Sequence, residues 1–392
     1  MISIISIDSN LLVLGYKFLK MKSSLYLGQF AKVKVFVHWT FLILIVYIIF
    51  AGISAGDSTE AIGWHVLFIL TIFLCVVLHE FGHALTGRRF GFKTKDIILL
   101  PIGGVARFEK LPENPRQEFL VAIAGPMVNF FIAGILYVIT QPSTESVLAL
   151  DFTTINATNF LMLLWMINLS LGLFNLIPAF PMDGGRIFRA LLAMFLARER
   201  ATAIAAALGI VLAVVFIFAG FYYNPFLILI GVFIILSASS ETSIVKAKAL
   251  LEGHTVGEIV MHDYASLDHD IPIAEASEVV LDGQSVNFAV TAGDKDIIGY
   301  VSKDQIIKSL TNSDHYSTRL SEIMTVITQT IPIETPLKEL YANPLLRKNA
   351  LLPVSDKGAI IGVINLENIL EFLAIKQATL QWKNLLKRNK PH

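Results

Sequence analysis

Val76-Val77-Leu78-His79-Glu80-Phe81-Gly82-His83 closes a long uncharged run, and its reading decides how the rest of the chain is understood. On a helix, residues four apart share a face, so His79 and His83 can grip one metal ion with Glu80 beside them as a base. The pattern points to zinc-dependent hydrolytic chemistry. The run that carries it is apolar enough to lie in lipid, where ionisable groups are costly and are functional by default. A shared metal ion would give both imidazoles and the carboxylate a partner.

At 392 residues the chain is long enough for more than one domain, and 55% hydrophobic residues with a mean hydropathy of +0.66 are too apolar for an ordinary soluble protein. Uncharged runs fill residues 35–238, whereas the remainder has mixed composition, so a formal net charge of +0 covers two unlike halves. No feature points to nucleic acid as a partner. Cys75 is the single cysteine, which excludes an intramolecular disulfide. The start of the chain lacks the charge, apolar core and cleavage pattern of a signal peptide. Residues 1–20 are expected to be a poorly ordered extension or to follow from a misassigned start, with Met21-Lys22 serving equally well.

Six membrane spans are predicted, at about residues 35–53, 62–85, 119–139, 160–176, 203–222 and 225–238. Lys17, Lys20, Lys22, Lys32 and Lys34 precede the first, seven basic residues from Arg88 to Arg116 follow the second, and Arg186, Arg189, Arg198 and Arg200 follow the fourth. Residues 52–63 and 141–157 contain no lysine or arginine. Because cytoplasmic loops collect such residues, a multi-pass protein of the bacterial inner (cell) membrane is expected, with both termini cytoplasmic and the histidines about 10 Å below that surface. Trp39 reads as an interfacial anchor, and His38 as an interfacial histidine or a polar group supporting the site.

The apolar stretch from Ile97 to Phe108 is too short and interrupted to span. It reads as a re-entrant strand or hairpin. Its edge, around Gly103 and Gly104, is either a clamp for an extended substrate or a structural plug.

Two histidines leave zinc short of the three protein ligands of a catalytic site. Asp183 is the candidate third, since Pro178, Pro181, Gly184 and Gly185 would break a helix and turn it inward. It could instead cap a helix or pair with Arg186. Cys75, one turn before His79, is the rival ligand, but the three groups would then lie along one helix rather than around an ion. Asn129 and Asn175 are neutral donors for a substrate strand or oxyanion, with interhelical hydrogen bonding as the competing reading.

From about residue 250 the chain repeats itself. Val256-Gly257-Glu258-Ile259 matches Leu320-Ser321-Glu322-Ile323, Ile271-Pro272-Ile273 matches Ile331-Pro332-Ile333, and Ile297-Ile298-Gly299-Tyr300-Val301 matches Ile360-Ile361-Gly362-Val363-Ile364, an internal duplication. Each copy should hold a short helix, a turn, a helix, two strands and a closing helix. With Leu352-Pro353-Val354-Ser355-Asp356 this half resembles a pair of CBS (cystathionine β-synthase type) modules. The resemblance implies adenine-nucleotide binding or homodimerisation. The family's ribose-binding aspartate is replaced by Gln305 and Asn368, so a structural or dimerising pair is expected at least equally.

His79-Glu80-Phe81-Gly82-His83, Gly125-Pro126-Met127-Val128-Asn129 and the stretch from Asn175 to Gly185 occur in the order seen in the site-2 protease family. The chain resembles the branch of these intramembrane zinc metalloproteases (peptidase family M50) that carries C-terminal CBS modules, over about residues 33–374. The resemblance implies one catalytic Zn2+ held by His79, His83 and Asp183, Glu80 as base, and an asparagine, carried to Asn175, that seats the substrate. It implies a polytopic α-helical membrane protein of about six transmembrane helices with a re-entrant β segment, followed by an α/β CBS pair. The expected division is 1–32 extension, 33–242 protease, 243–375 tandem CBS and 376–392 basic tail. The substrate would itself be a membrane protein embedded in the lipid bilayer. A CBS-gated transporter or channel and a catalytically silent scaffold are the alternatives.

Overall fold

The computed structural model describes residues 24–101, 103–108, 112–148, 150, 153–283, 285–293, 296–311, 318–343, 345–346 and 350–388. The expectation for residues 1–20 lies outside them. Two compact units meet in the chain between Val245 and Lys246.

The first unit opens with strands β1 (Ser24–Phe30) and β2 (Val33–His38), followed by helices α1 (Thr40–Ala55) and α2 (Thr59–Arg89). Strands β3 (Thr94–Leu100) and β4 (Gly103–Phe108) come next. The four strands form one sheet in the order β1-β2-β3-β4, with β2 parallel to β3 and the other pairs antiparallel. The predicted helix beginning at 35 and extension ending at 32 are both corrected here. Val33, Val35 and Val37 alternate with Lys34 and Phe36, burying one face, which is the period of a strand. Ala31 and Lys32 have φ of 46° and 64°, the left-handed pair that a two-residue hairpin needs. The expected hairpin after the second span is present as β3 and β4, but as half of a larger sheet whose edges are β1 and β4. Its β3 side chains Ile97, Ile98 and Leu99 are buried. Leu99 packs with Phe73, and Ile97 with Ala84, so the sheet lies against α2.

The remaining helices of this unit are α3 (Pro115–Thr140), α4 (Thr144–Leu148), α5 (Phe160–Asn175), α6 (Asp183–Ala193), α7 (Arg198–Tyr222) and α8 (Phe226–Leu251). Among the described residues four helices, α2, α3, α7 and α8, are long and apolar enough to cross a membrane, while α1 and α5 have 16 residues each. Helix α8 runs well beyond the expected end at 238, because Ser237–Glu241 changes polarity without introducing a helix breaker and no glycine follows until Gly253. Phe131, Val138, Val211, Phe218 and Leu229 point outward and are exposed, an apolar belt suited to lipid.

Charge inside the bundle ties these helices together. Arg189 of α6 is 2% exposed and is held by Glu118 of α3 and Glu241 of α8, with its guanidinium 5.1 Å from the Phe180 ring centroid. Arg198 at the start of α7 donates to the other Glu118 oxygen at 2.8 Å. Arg189 and Arg198, read from sequence as loop charges that set orientation, are therefore committed to internal ion pairs.

The second unit contains a 3-10 turn (Val256–Glu258), β5 (Ser266–Asp268), α9 (Ile273–Asp282), β6 (Asn287–Ala292), β7 (Asp296–Ser302) and α10 (Lys303–Leu310). The second copy follows as α11 (Leu320–Ile323), β8 (Thr325–Val326), β9 (Ile331–Pro332), α12 (Leu337–Tyr341), β10 (Leu352–Asp356), β11 (Ala359–Ile364) and α13 (Leu366–Arg388). The sheets run β5-β6-β7-β8 and β11-β10-β9. Each copy lends its leading turn to the other. Leu320 lies in the core with Leu267 and Phe288, while Val256 lies in the core with Leu337 and Val354. The backbone bonds are reciprocal: Val256 N to Thr335 O is mirrored by Leu320 N to Ile271 O, and Gly257 N to Ile333 O by Ser321 N to His269 O. The segment expected as a basic tail from 376 continues α13 as far as Arg388.

Candidate metal centre

His79 and His83 lie on one face of α2 and are 6% and 8% exposed. Each ring is fixed through its Nδ1, His79 against Asn129 Oδ1 at 2.5 Å and His83 against the Val121 carbonyl at 2.7 Å. Both acceptors belong to α3. With Nδ1–H donating, the lone pair of each ring sits on Nε2, and the two Nε2 atoms converge at 3.1 Å.

Asp183 enters from the opposite side. The chain leaves α5, turns through residues 176–182 and starts α6 at Asp183, which places the carboxylate at the first position of a helix. Gly184 and Gly185 make the turn possible, because a Cβ at Gly185 would lie 2.7 Å from the Ala179 carbonyl carbon and one at Gly184 would collide with the Leu176 and Ile177 backbone. Asp183 Oδ2 stands 3.1 Å from His79 Nε2 and 3.0 Å from His83 Nε2. The ligand atoms of these three residues all lie within 4.8 Å of one another.

This donor set fits a metal ion. Tetrahedral bonds of about 2.0–2.1 Å place neighbouring ligand atoms roughly 3.3 Å apart, close to the separations here. Gly125 of α3 supplies the room: a Cβ there would lie 2.6 Å from His79 Nε2 and closer still to His83 Nε2. What approaches Gly125 is the pair of imidazoles.

Glu80 is half-buried beside the pair and accepts from the Ala106 N–H at 3.1 Å. Gly104 allows β4 this close, since its Cβ would come within 2.8 Å of Glu80 Cγ. β4 is an edge strand of the sheet, and its Ala106 N–H is directed at Glu80. Gly103, with φ of 137°, forms the turn into β4, and nothing would meet a Cβ there.

Other candidates are placed differently from expectation. Asn129 is 1% exposed, lies behind His79, and donates to Asn168 Oδ1 at 3.0 Å, so it makes an interhelical bond instead of facing a substrate. Cys75 is buried against Asn168 Nδ2 at 3.5 Å and is not among the three clustered groups. His38 packs its Nδ1 on Thr40 Oγ1 at 2.8 Å at the start of α1. Asn175 ends α5, half-buried, with no hydrogen bond among the described residues. Asn168, Glu118 and Glu241 went unrecognised in the sequence, because each is joined to its partner only across 39 to 93 residues of chain.

The fold and site define a helical membrane protein with a buried two-histidine, one-carboxylate centre. The profile of peptidase family M50 matches residues 67–218, and CBS domain profiles match 256–312 and 320–375. Zinc metalloprotease MJ0392 of Methanocaldococcus jannaschii is 32% identical over 370 residues, covering 93% of this chain and all of the relative. Stage IV sporulation protein FB of Bacillus subtilis is 30% identical over 124 residues, 31% of this chain and 39% of that one. The solved structure of the site-2 protease from Methanocaldococcus jannaschii is 35% identical and covers 56% of this chain and 95% of its own, with a TM-score of 0.42. The chain belongs to peptidase family M50, the site-2 protease family, and carries a C-terminal CBS pair. It is an integral membrane protein.

Proposed function

We propose that this chain is a zinc-dependent intramembrane endopeptidase that cuts a membrane protein in or near a transmembrane segment. The observation that carries the reading is the meeting of His79 Nε2, His83 Nε2 and Asp183 Oδ2 at one point from two helices about a hundred residues apart. These three residues would hold the zinc ion, which supplies Lewis acidity for water and for the scissile carbonyl. Glu80 takes the proton from the attacking water and returns it to the leaving amine. Asn129 holds the His79 ring in the tautomer that directs Nε2 inward.

Peptide bonds inside a helix are shielded, so the substrate must unwind before attack. An extended segment pairs with the outer edge of β4 beside Glu80 as an added strand, with Gly104 letting Glu80 stand close to that edge. Asn175, with its amide unpaired among the described residues, is the group we assign to seat that segment. We further propose six spans, including α1 and α5, in a bacterial cell membrane, with both termini and the site toward the cytoplasm. The CBS pair then acts as a structural or dimerising module, since Gln305 and Asn368 are engaged in capping their own helices.

The test uses a reporter membrane protein with a single transmembrane helix. Glu80→Gln should retain zinc and lose about 10²- to 10⁴-fold in cleavage rate. Asp183→Ala should lose zinc as well as cleavage. Cleavage persisting in Glu80→Gln would exclude Glu80 as the base, and full zinc content in Asp183→Ala would exclude the third ligand.

A further inference from the structure

A second polar site lies within the first unit, in a cavity of about 390 Å³ between α6 and α8. Arg186 lines it, and so do the hydroxyl-bearing residues Ser237, Ser239, Ser240 and Ser243. Arg186 is half-buried and makes no hydrogen bond or ion pair among the described residues. The four serine hydroxyls likewise have no partner among the described residues. Glu241 also lines the cavity; its carboxylate accepts from Arg189 through one oxygen and interacts electrostatically with Arg186. The half-buried guanidinium and the serine hydroxyls offer more donors than the one carboxylate of the cavity takes up, and a phosphate would accept from them.

The cavity is graded along α8. Phe233 and Leu236 form one end, within the uncharged stretch Phe226–Leu236, and Arg186 and the serines form the other. An apolar end and an end lined by Arg186 and hydroxyls match the acyl chain and phosphate of one molecule. We propose that this cavity binds an anionic phospholipid, with its phosphate on Arg186 and the α8 serines. The proposal rests on the chain spanning a membrane but not on its peptidase activity, and it is read by binding alone.

The experiment is native mass spectrometry of the full chain in detergent, titrated with phosphatidylglycerol and, separately, with a diacylglycerol of the same chains that lacks phosphate. Wild type should retain phosphatidylglycerol and not diacylglycerol. Arg186→Gln should weaken retention about tenfold, the loss of one charge-assisted bond, while Arg186→Lys keeps most of it. Arg200→Gln, which removes an exposed charge nearby in sequence, should leave it unchanged. Ser240→Ala with Ser243→Ala should weaken it several-fold and serves if the Arg186 variants do not fold. Displacement of the lipid by millimolar inorganic phosphate would support phosphate recognition. Equal retention by wild type, Arg186→Gln and the double serine variant would overturn the site. So would an equal loss in Arg200→Gln, while binding of inorganic phosphate without retention of phosphatidylglycerol would overturn lipid as its source.

Discussion

In the first unit the side chains that stand out in the sequence converge on one another, whereas in the second they turn back onto their own backbone. His79, His83 and Asp183 come from two helices and present three ligand atoms to one point. Gln305 accepts from Ser302 N at 2.9 Å, and Asn368 Oδ1 accepts from Asn365 N at 3.0 Å, each closing the start of a helix. The difference teaches that a buried polar group without a local use marks chemistry, while one that satisfies a helix end is already explained by the fold.

The largest effect that sharpens this contrast should come from Gly125→Ala. A methyl group there must displace both imidazoles, and misplacement of the order of 1 Å costs about 10²-fold in rate. Cleavage should fall at least that far with zinc binding weakened, as measured by reporter cleavage and metal analysis. Next comes Arg189→Met, which leaves Glu118 and Glu241 facing each other without their shared cation. Breaking a buried pair in this way costs about 3–5 kcal/mol, seen as a lowered melting temperature in detergent, and it loosens the helix that carries Asp183. The smallest effect is expected in the second unit: adenosine monophosphate should leave the melting temperature unchanged. A saturable upward shift would break the comparison, because binding to the native state raises stability.

The sequence made the site legible to different depths. The spacing of His79 and His83 is local, and helical periodicity alone puts them on one face. Asp183 could be singled out because it sits among helix breakers, though only the fold shows that it meets the histidines. The two readings of Asn129 could not be separated in the sequence, since a buried asparagine in an apolar helix looks the same whether it faces a substrate or a neighbouring ring. The Glu118, Arg189 and Glu241 network was invisible because its members are distant in the chain and each resembles an ordinary interfacial charge. For the fold, β2 was absorbed into a predicted span because Val33–Val37 is apolar as well as alternating. Its neighbour β1 has no buried face to announce it. The duplicated second unit was legible in outline. The exchange of leading turns between its copies was not, because it depends on which copy each apolar residue packs against.

The central claim is that His79, His83 and Asp183 form one zinc site, and X-ray absorption at the zinc edge of the purified, metal-loaded protein tests it most directly. The account predicts a shell of nitrogen and oxygen at about 2.0–2.1 Å with imidazole scattering from two histidines, lost in Asp183→Ala. A sulfur scatterer at about 2.3 Å would instead bring Cys75 into the site and contradict the assignment.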